Sequence, residues 1–291
     1  MKEGIDTRKN TNSNEQRGSL FNIFKKIKYE RFILFVPYFI LLSFHFHFLQ
    51  QHRMIYQSNK FDIDELKLCK RIHYNKTKNK EKDNYFDIYS IEMNSPNDLI
   101  YFHGSRIRKD IHIKIANKLA KTTKCNIIVP FYRGYGSSNG SINEVTIMSD
   151  VKLLNKVMKN RKNTEILYGQ SLGCAAALYY ASLSGNYNFL ILENPFNTMK
   201  EVSYDTYSLS PFFGWVLTEK WPNDKRLKEY KGKVLFLISQ KDNFVKAYHH
   251  KSLSNLCDKI EIKYLEGATH FNATLNEEYY KNIEDFINDC K

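Results

Sequence analysis

Short apolar runs alternate with longer amphipathic runs through most of the chain. The short runs have the length and the β-branched and aromatic content of buried strands, and they lie at residues 85–93, 99–102, 126–130, 165–168, 189–192, 234–238 and 260–265. The longer runs carry apolar side chains at helical spacing and lie at residues 109–121, 143–160, 172–183, 244–257 and 276–288. Because strands that alternate with helices pair in parallel beneath helical layers, the pattern predicts an α/β fold with a mostly parallel sheet.

One interval breaks this alternation. Residues 196–231 contain no strand pattern, but they hold both tryptophans, Trp215 and Trp221, and the apolar patch LSPFFGWVL. In open α/β sheets ligands bind at the carboxyl ends of the strands, so a long insertion there would cover the binding crevice. We therefore predict a small helical cap over about residues 196–231. An insertion that only packs on the domain and contacts no ligand would give the same pattern.

The N-terminal region has a different character. Residues 1–20 are polar, and we expect residues 1–31 to form a tail, whereas residues 32–49, FILFVPYFILLSFHFHFL, carry no Lys, Arg, Asp or Glu. A run of this length is about the minimum for a helix that crosses a bilayer. The pattern therefore predicts one N-terminal transmembrane helix over residues 32–50, followed by a linker and first-strand region at 51–84 and the α/β domain at 85–291. A buried aromatic helix or an interfacial segment is the alternative.

Charges on either side of this run predict its orientation. Lysines and an arginine crowd its N-terminal side, at positions 25, 26, 28 and 31, whereas the first positive charges beyond it are Arg53 and Lys60. Because positive flanks stay on the cytoplasmic side, we predict a single-pass type II membrane protein with a cytoplasmic N-terminus. The α/β domain would then face the lumen or the exterior.

Net charge and cysteine content change this picture little. The 291 residues carry a formal charge of +13 with a pI near 9.3, and such a surplus suits a polyanionic partner. The lysines, however, are spread along the whole chain and do not alternate with aromatic residues as on single-strand-binding surfaces. We therefore expect a solvated basic surface and no nucleic-acid partner. The five cysteines lack metal or disulfide spacing, and we expect Cys125 and Cys174 to pack as small hydrophobes.

A serine lies at a strand-to-helix turn in the middle of the chain. In EILYGQSLGCAAALYY, Ser171 stands between Gly169 and Gly173, after an apolar strand run and before an alanine-rich helical run. A serine hydroxyl attacks a carbonyl only when it is exposed, lies beside a general base and faces donors that stabilise the oxyanion. A Gly-x-Ser-x-Gly turn in this context projects the serine from the sheet. We therefore predict that Ser171 is a nucleophile.

The general base and its acid are expected after the serine, in the order Ser, Asp, His. Asp242 follows the apolar run VLFLIS, and His270 lies in a Gly-containing loop after the last strand run. Asp242 would orient the imidazole, and His270 would take the serine proton and return it to the leaving group. Glu193, at the end of the run FLIL, is the competing acid. His249 and His250 fall on a predicted helix and are expected to face solvent.

Oxyanion donors are predicted near an early strand end. In LIYFHGSR, His103 and Gly104 follow a strand run, and the glycine lets the backbone approach the nucleophile. We predict that the main-chain N–H groups of Ser105 and Leu172 form the oxyanion hole. His103 itself is expected to have a structural role.

These residues resemble the α/β-hydrolase superfamily over roughly residues 86–291. The stretches FYRGYGSSNG at 131–140 and LENPF at 192–196 are more closely similar to the membrane-anchored, Bem-like branch that includes α/β-hydrolase domain-containing protein 13. The sequence differs from this branch at Ser105, where asparagine is common, and it lacks the usual proline beside Val245. The resemblance implies an α/β-hydrolase fold behind one transmembrane helix and activity on acyl esters or thioesters, including lipid and protein-palmitoyl substrates.

The leading hypothesis is therefore a membrane-anchored serine hydrolase with a lipid-like or small acyl substrate. Its chemistry requires no metal and no organic cofactor. A non-catalytic α/β-hydrolase-fold scaffold or binding protein at the membrane is the alternative. A peptidase on the same fold would share the triad, but such enzymes usually carry a propeller or a larger cap.

Overall fold

A computed structural model of the chain describes residues 25–26, 35–43, 45, 51–57, 69–75, 84–106, 109–184, 189–206 and 217–289. The chain divides into two compact units, Met1–Gln50 and Gln51–Lys291. The second unit carries every candidate site residue.

The first unit contains a helical stretch at residues 35–43, whose side chains are largely exposed. No helix within the described ranges is both long enough and apolar enough to cross a membrane. The membrane segment predicted at 32–50 overlaps this stretch. Its residues 32–34, 44 and 46–50 lie outside the described residues.

The second unit is built on one twisted sheet. In the described residues the sheet has eight strands in the order β1-β2-β4-β3-β5-β6-β7-β8. The strands are β1 Cys69–Asn75, β2 Asn84–Ile91, β3 Asn97–Phe102, β4 Asn126–Phe131, β5 Thr164–Gln170, β6 Phe189–Glu193, β7 Lys233–Ser239 and β8 Ile260–Leu265. The pairs β1–β2 and β2–β4 are antiparallel, and the remaining neighbours are parallel. The predicted α/β class and mostly parallel sheet are confirmed.

Helices connect these strands. They are α1 Lys109–Thr123, α2 Glu144–Met158, α3 Leu172–Ser184, α4 Met199–Thr206, α5 Asn223–Glu229, α6 Ala247–Ser254 and α7 Glu278–Asn288. Helix α3 packs against α2 and α5, and α1 packs against α7. Every residue of β4, and every residue of β7 after its first, is buried. Since side chains alternate between the faces of a strand, both faces of the central sheet are covered.

The sequence pattern located seven of these strands to within a few residues, but it missed β1 as a defined strand. The segment CKRIHYN is polar, as a linker would be. It is defined as a strand only by its pairing with β2, in which Cys69 lies opposite Tyr89 and Asn75 opposite Asn84. The cysteines expected in the core are there, because Cys125 and Cys174 are fully buried.

The chain changes direction across the sheet beside β3. After β3 it runs to β4 on one side, and after α2 it returns to form β5 on the other side. The ends of β3 and β5 are in register, with Phe102 opposite Gly169. The loop after β3 and the turn after β5 therefore lie side by side at the carboxyl edge, where α/β sheets bind ligands.

The predicted cap region begins with helix α4 and ends with helix α5. Residues 207–216, which include Trp215 and most of the apolar patch, lie outside the described residues. Trp221 is fully buried, and its backbone N–H donates to the Glu144 carboxylate at the start of α2. The second half of the insertion is thus packed into the domain core.

The sequence-based view of helix α6 was wrong in two respects. The helix spans Ala247–Ser254 rather than residues 244–257. Its histidines are buried rather than exposed, with relative exposures of 0% for His249 and 7% for His250. His249 Nδ1 accepts the Asn197 N–H at 3.2 Å, and its Nε2 lies 3.2 Å from Asp205 Oδ2. Burial lowers the pKa of His249, an effect that Asp205 partly offsets, because an apolar setting disfavours the charged imidazole.

Candidate active site

Ser171 occupies a strained turn between β5 and α3. Its φ angle is 51°, in the left-handed region, which side chains other than glycine seldom adopt. The Ser171 N–H donates to the Glu193 carbonyl at 2.9 Å, and the Ser171 carbonyl accepts the Cys174 N–H at 2.9 Å. The turn is therefore held from β6 on one side and from helix α3 on the other.

The flanking glycines are required by close backbone approach. A Cβ added at Gly173 would lie 1.9 Å from the Phe102 carbonyl oxygen, and one added at Gly169 would lie 2.5 Å from Cys174 Cα. Neither contact is sterically possible without a backbone shift. The two glycines thus allow α3 to pack tightly against the ends of β3 and β5, which fixes the direction of the Ser171 side chain.

The structure brings the three side chains proposed as a triad into one hydrogen-bonded chain. Ser171 Oγ lies 2.9 Å from His270 Nε2, and His270 Nδ1 lies 2.6 Å from Asp242 Oδ2. The imidazole and the carboxylate are nearly buried, with side-chain exposures of 8% and 4%. Ser171 lies in the turn after β5, Asp242 in the loop after β7 and His270 in the loop after β8.

The Asp242 carboxylate is held in this orientation by its own loop. Its Oδ1 accepts the backbone N–H groups of Phe244 at 2.7 Å and Val245 at 2.9 Å. An ionised carboxylate only accepts hydrogen bonds, so the facing Nδ1 of His270 carries a proton. In the neutral imidazole Nε2 is then an acceptor, and the Ser171 hydroxyl donates to it. This is the arrangement in which a histidine can remove the serine proton.

The competing acid, Glu193, is hydrogen-bonded to side chains other than His270. It is fully buried, and it accepts hydrogen bonds from the hydroxyls of Tyr168 and Tyr279 and from the Gln170 side-chain amide. Burial raises the pKa of Glu193, and the tyrosine hydrogen bonds oppose that rise. Asp242, not Glu193, is the carboxylate in hydrogen-bond contact with His270.

The loop after β3 lies directly beside the nucleophile. A Cβ added at Gly104 would be 3.7 Å from Ser171 Cβ, and Ser105 and Leu172 line a cleft together with Ser171. The residues predicted to supply the oxyanion donors therefore line the same cleft as the reacting serine. Their role as donors remains a prediction.

His103 has the buried environment of a structural residue. It is fully buried, its Nδ1 lies 2.8 Å from the Gly104 carbonyl oxygen, and its ring centroid is 4.3 Å from that of Tyr132 and 5.0 Å from that of Tyr135. Burial lowers the pKa of His103, and nearby His112 lowers it further. The imidazole is therefore neutral at physiological pH.

Sequence reasoning missed the role of the YRGYG stretch in holding this loop. The Tyr135 hydroxyl donates to the Ser105 carbonyl at 2.7 Å. Arg133 fixes the stretch itself, since its Nε lies 2.8 Å from Asp150 Oδ1 and its backbone N–H donates to Asp150 Oδ2 at 2.9 Å. The signal available in the sequence was an acidic residue, Asp150, at helical spacing with the apolar Ile147 and Leu154.

A cleft of about 330 Å³, here called the wide cleft, opens in front of Ser171 and His270. Its other lining residues include Gly104, Arg106, Ile111, Gln170 and Phe271. The exposed Arg106 guanidinium stacks 4.8 Å from the centroid of the Phe271 ring, a favourable cation–π arrangement. In the described part of the chain no group of three or more His, Cys, Asp or Glu side chains could hold a metal ion.

Three known proteins are similar in sequence. Protein bem46 of Schizosaccharomyces pombe is 29% identical over 217 residues, which cover 70% of this chain and 72% of that protein. The uncharacterized membrane protein YNL320W of Saccharomyces cerevisiae is 29% identical over 56% of this chain and 60% of its own length. The α/β hydrolase domain-containing protein WAV2 of Arabidopsis thaliana is 26% identical over 48% of this chain and 51% of its own length. No family model matches the chain.

Solved structures resemble the fold at lower identity. The esterase Pf2001 of Pyrococcus furiosus superimposes with a TM-score of 0.61 at 16% identity, covering 80% of this chain and 97% of that one. An esterase from Exiguobacterium antarcticum gives a TM-score of 0.54 at 17% identity, with coverages of 70% and 96%. The sheet topology and the serine turn are thus those of an α/β-hydrolase fold. The similarity to bem46, YNL320W and WAV2 bears out the resemblance to the Bem-like branch that the motifs at 131–140 and 192–196 indicated.

Proposed function

We propose that this protein is a serine hydrolase that cleaves acyl esters or acyl thioesters through a covalent acyl-enzyme. One observation carries the proposal, namely the hydrogen-bonded chain from Ser171 Oγ through His270 to Asp242 at the edge of the wide cleft. A fold shared with esterases does not by itself establish an activity. The geometry of the three side chains is the stronger support.

The first half-reaction transfers the acyl group to the enzyme. Ser171 Oγ forms a bond to the substrate carbonyl carbon, while its proton passes to His270 Nε2. The bond from that carbon to the leaving oxygen or sulfur then breaks, and the leaving group takes the proton from His270. Asp242 stabilises the imidazolium that exists between these two steps.

The second half-reaction returns the enzyme to its starting state. A water molecule gives a proton to His270 and attacks the acyl carbon, and the carboxylic acid leaves as Ser171 regains its proton. In both halves a negative charge develops on the carbonyl oxygen. We assign its stabilisation to the backbone N–H groups of Ser105 and Leu172, two residues that line a cleft together with Ser171. Loss of one such donor costs about a hundred- to a thousandfold in rate.

The proposal includes a membrane anchor at residues 32–50 with a cytoplasmic N-terminus. Its support is the absence of Lys, Arg, Asp and Glu from residues 32–49 and the basic residues that precede them. A relative from budding yeast is also named as a membrane protein. If the anchor exists, the full-length chain stays in the membrane pellet after alkaline carbonate extraction. A chain starting at Gln51 is released under the same treatment.

Labelling with an alkyl fluorophosphonate tests the catalytic proposal, since this reagent forms a stable bond with activated serines. We expect the parent protein to be labelled and Ser171→Ala to remain unlabelled. Ser149→Ala is a matched control, because Ser149 is an exposed serine on α2 whose hydroxyl bonds to the Val145 carbonyl, and it should label as the parent does. Equal labelling of Ser171→Ala and parent would contradict the proposal.

A further inference from the structure

A second, smaller cleft is also lined by Ser171. Its volume is about 50 Å³, and apolar side chains dominate its wall. We call it the apolar slot and define it by Met54, Ile55, Leu172, Phe196, Met199 and Val202, which line it together with Ser171. Two of these residues precede the first strand of the domain, so a segment that resembles a linker in the sequence forms part of a wall beside the nucleophile.

The segment at residues 51–57 is fixed in place by buried hydrogen bonds. Tyr56 is 3% exposed, its hydroxyl donates to Glu219, and it accepts the Trp221 indole N–H at 3.0 Å. The Gln51 side-chain oxygen accepts both the backbone N–H and the hydroxyl of Thr218, at 2.8 and 3.0 Å. Buried and satisfied polar groups of this kind favour one arrangement of the segment.

The carboxylates at this junction are also satisfied by backbone donors. Glu219 accepts the Glu144 N–H at 2.6 Å, and Glu144 accepts the Lys220 N–H at 2.5 Å. The segment is thus joined to the start of α2 as well as to residues 217–221. The hydrogen bonds of Gln51 and Tyr56 therefore hold Met54 and Ile55 in the slot wall.

The position of His270 assigns different parts of a substrate to the two clefts. His270 lines the wide cleft but is not among the residues that line the apolar slot. Because His270 delivers a proton to the leaving group, the leaving group must lie on the side of the wide cleft. The acyl chain extends from the same carbonyl carbon in another direction, and the apolar slot is lined by Ser171 without contact to His270.

We propose that the apolar slot binds an unbranched acyl chain and that Met54 and Ile55 set the chain length the protein accepts. This inference rests on the proposed function and specifies its substrate class. The narrow, apolar wall favours methylene groups over polar or branched acyl groups, since burying each methylene contributes about a fourfold gain in binding. The segment before the domain is then a specificity element, not a spacer.

Substitutions at Met54 test this assignment in the full-length protein. The assay measures kcat/KM for p-nitrophenyl acetate, butyrate and decanoate. Met54→Trp fills the slot, whose volume of about 50 Å³ suits a butyryl chain, and we expect the butyrate-to-acetate ratio of kcat/KM to fall at least tenfold. Met54→Ala widens the slot and should raise that ratio, or move the preferred ester to a longer chain. Arg53→Trp places the same bulky side chain on the exposed neighbouring position and should leave the ratio within twofold of the parent.

The outcomes separate the subsite from the underlying activity. If the parent hydrolyses the esters but both Met54 variants keep its chain-length profile within twofold, the slot does not hold the acyl chain and the inference is wrong. A shift in Arg53→Trp equal to that in Met54→Trp would also overturn it. If the parent neither hydrolyses any ester nor reacts with fluorophosphonate, the proposed function fails, and the subsite falls with it.

Discussion

The contact between Gly173 and the loop after β3 allows a quantitative prediction. Replacement of Gly173 by alanine adds a Cβ that would lie 1.9 Å from the Phe102 carbonyl oxygen and 2.9 Å from that of His103. Both atoms belong to backbone that leads into the predicted oxyanion loop. No side-chain rotation can relieve the contact, so the start of α3 must move away from the end of β3.

The size of this movement follows from the distances. Real Cβ atoms essentially never approach closer than 3.0 Å, so relief requires a shift of about 1 Å. A misplacement of about 1 Å can reduce a rate about a hundredfold, and overpacking of this kind typically costs about 1–3 kcal/mol of stability. Because Ser171 lies two residues before Gly173, we expect Gly173→Ala to lower kcat by about a hundredfold.

Ester hydrolysis and urea unfolding measure the two effects. Gly104→Ala is the matched comparison, because its added Cβ would meet the Gln170 carbonyl oxygen at 3.4 Å, which is ordinary van der Waals contact. We expect Gly104→Ala to change the free energy of unfolding by less than about 1 kcal/mol. Parent-like hydrolysis and parent-like unfolding in Gly173→Ala would refute the argument from close packing at the turn.

Four other predictions concern single side chains. Asp242→Asn should lower kcat about a thousandfold or more in the ester assay with little change in stability, because an amide no longer stabilises the imidazolium. Tyr135→Phe removes the donor to the Ser105 carbonyl and should lower kcat about tenfold at unchanged KM; a change in KM alone would contradict this. Tyr56→Phe removes the hydroxyl that donates to Glu219 and accepts the Trp221 indole N–H and should cost about 1–3 kcal/mol in urea unfolding. The Glu193 pKa is raised above 4.5 by burial, so its contribution to stability is fully present below that pH and is lost as pH rises through the folded-state pKa. Glu193→Gln should flatten the fall in the free energy of unfolding as the pH rises above about 4.5, and an unchanged slope would show that another group causes it.

The triad could be predicted because the fold brings strand ends together. Parallel strands end at one edge of the sheet, so residues directly after strands β5, β7 and β8 are neighbours in space whatever their distance in sequence. Ser171, Asp242 and His270 each stand in such a place. Glu193 fits the same chain order, and Asp242 is preferred because it lies closer in the chain to His270. Local periodicity was enough for this part of the account.

The features that the sequence did not reveal depend on single long-range contacts. Tyr56 bonds to Glu219 and Trp221 across more than half the chain, and nothing in the local pattern of residues 51–57 indicates a partner. Burial of His249 depends on Asp205 and Asn197 in the cap region. The pattern of the helix alone therefore led to the wrong expectation that His249 faces solvent. Such pairings are selected by tertiary packing, which short-range patterns do not record.

The first turn of the predicted helix at 244–257 was lost for a related reason. The Asp242 side chain accepts the N–H groups of Phe244 and Val245, which stabilises a turn at the point where the helical pattern begins. The carboxylate that contacts His270 therefore also determines the conformation of its own loop. The hydrogen bonds of Asp242 to the backbone stabilise the turn more than local helix propensity stabilises a helix here. Polar side chains near helix starts often compete in this way.

Direct detection of the acyl-enzyme is the most direct test of the central claim. The protein is mixed with a p-nitrophenyl ester, quenched in acid during turnover, digested and analysed by mass spectrometry. We predict that the peptide containing Ser171 carries the acyl group and that Ser171→Ala carries none and hydrolyses no ester above background. Hydrolysis by the parent with no acyl group on Ser171, or undiminished hydrolysis by Ser171→Ala, would contradict the account.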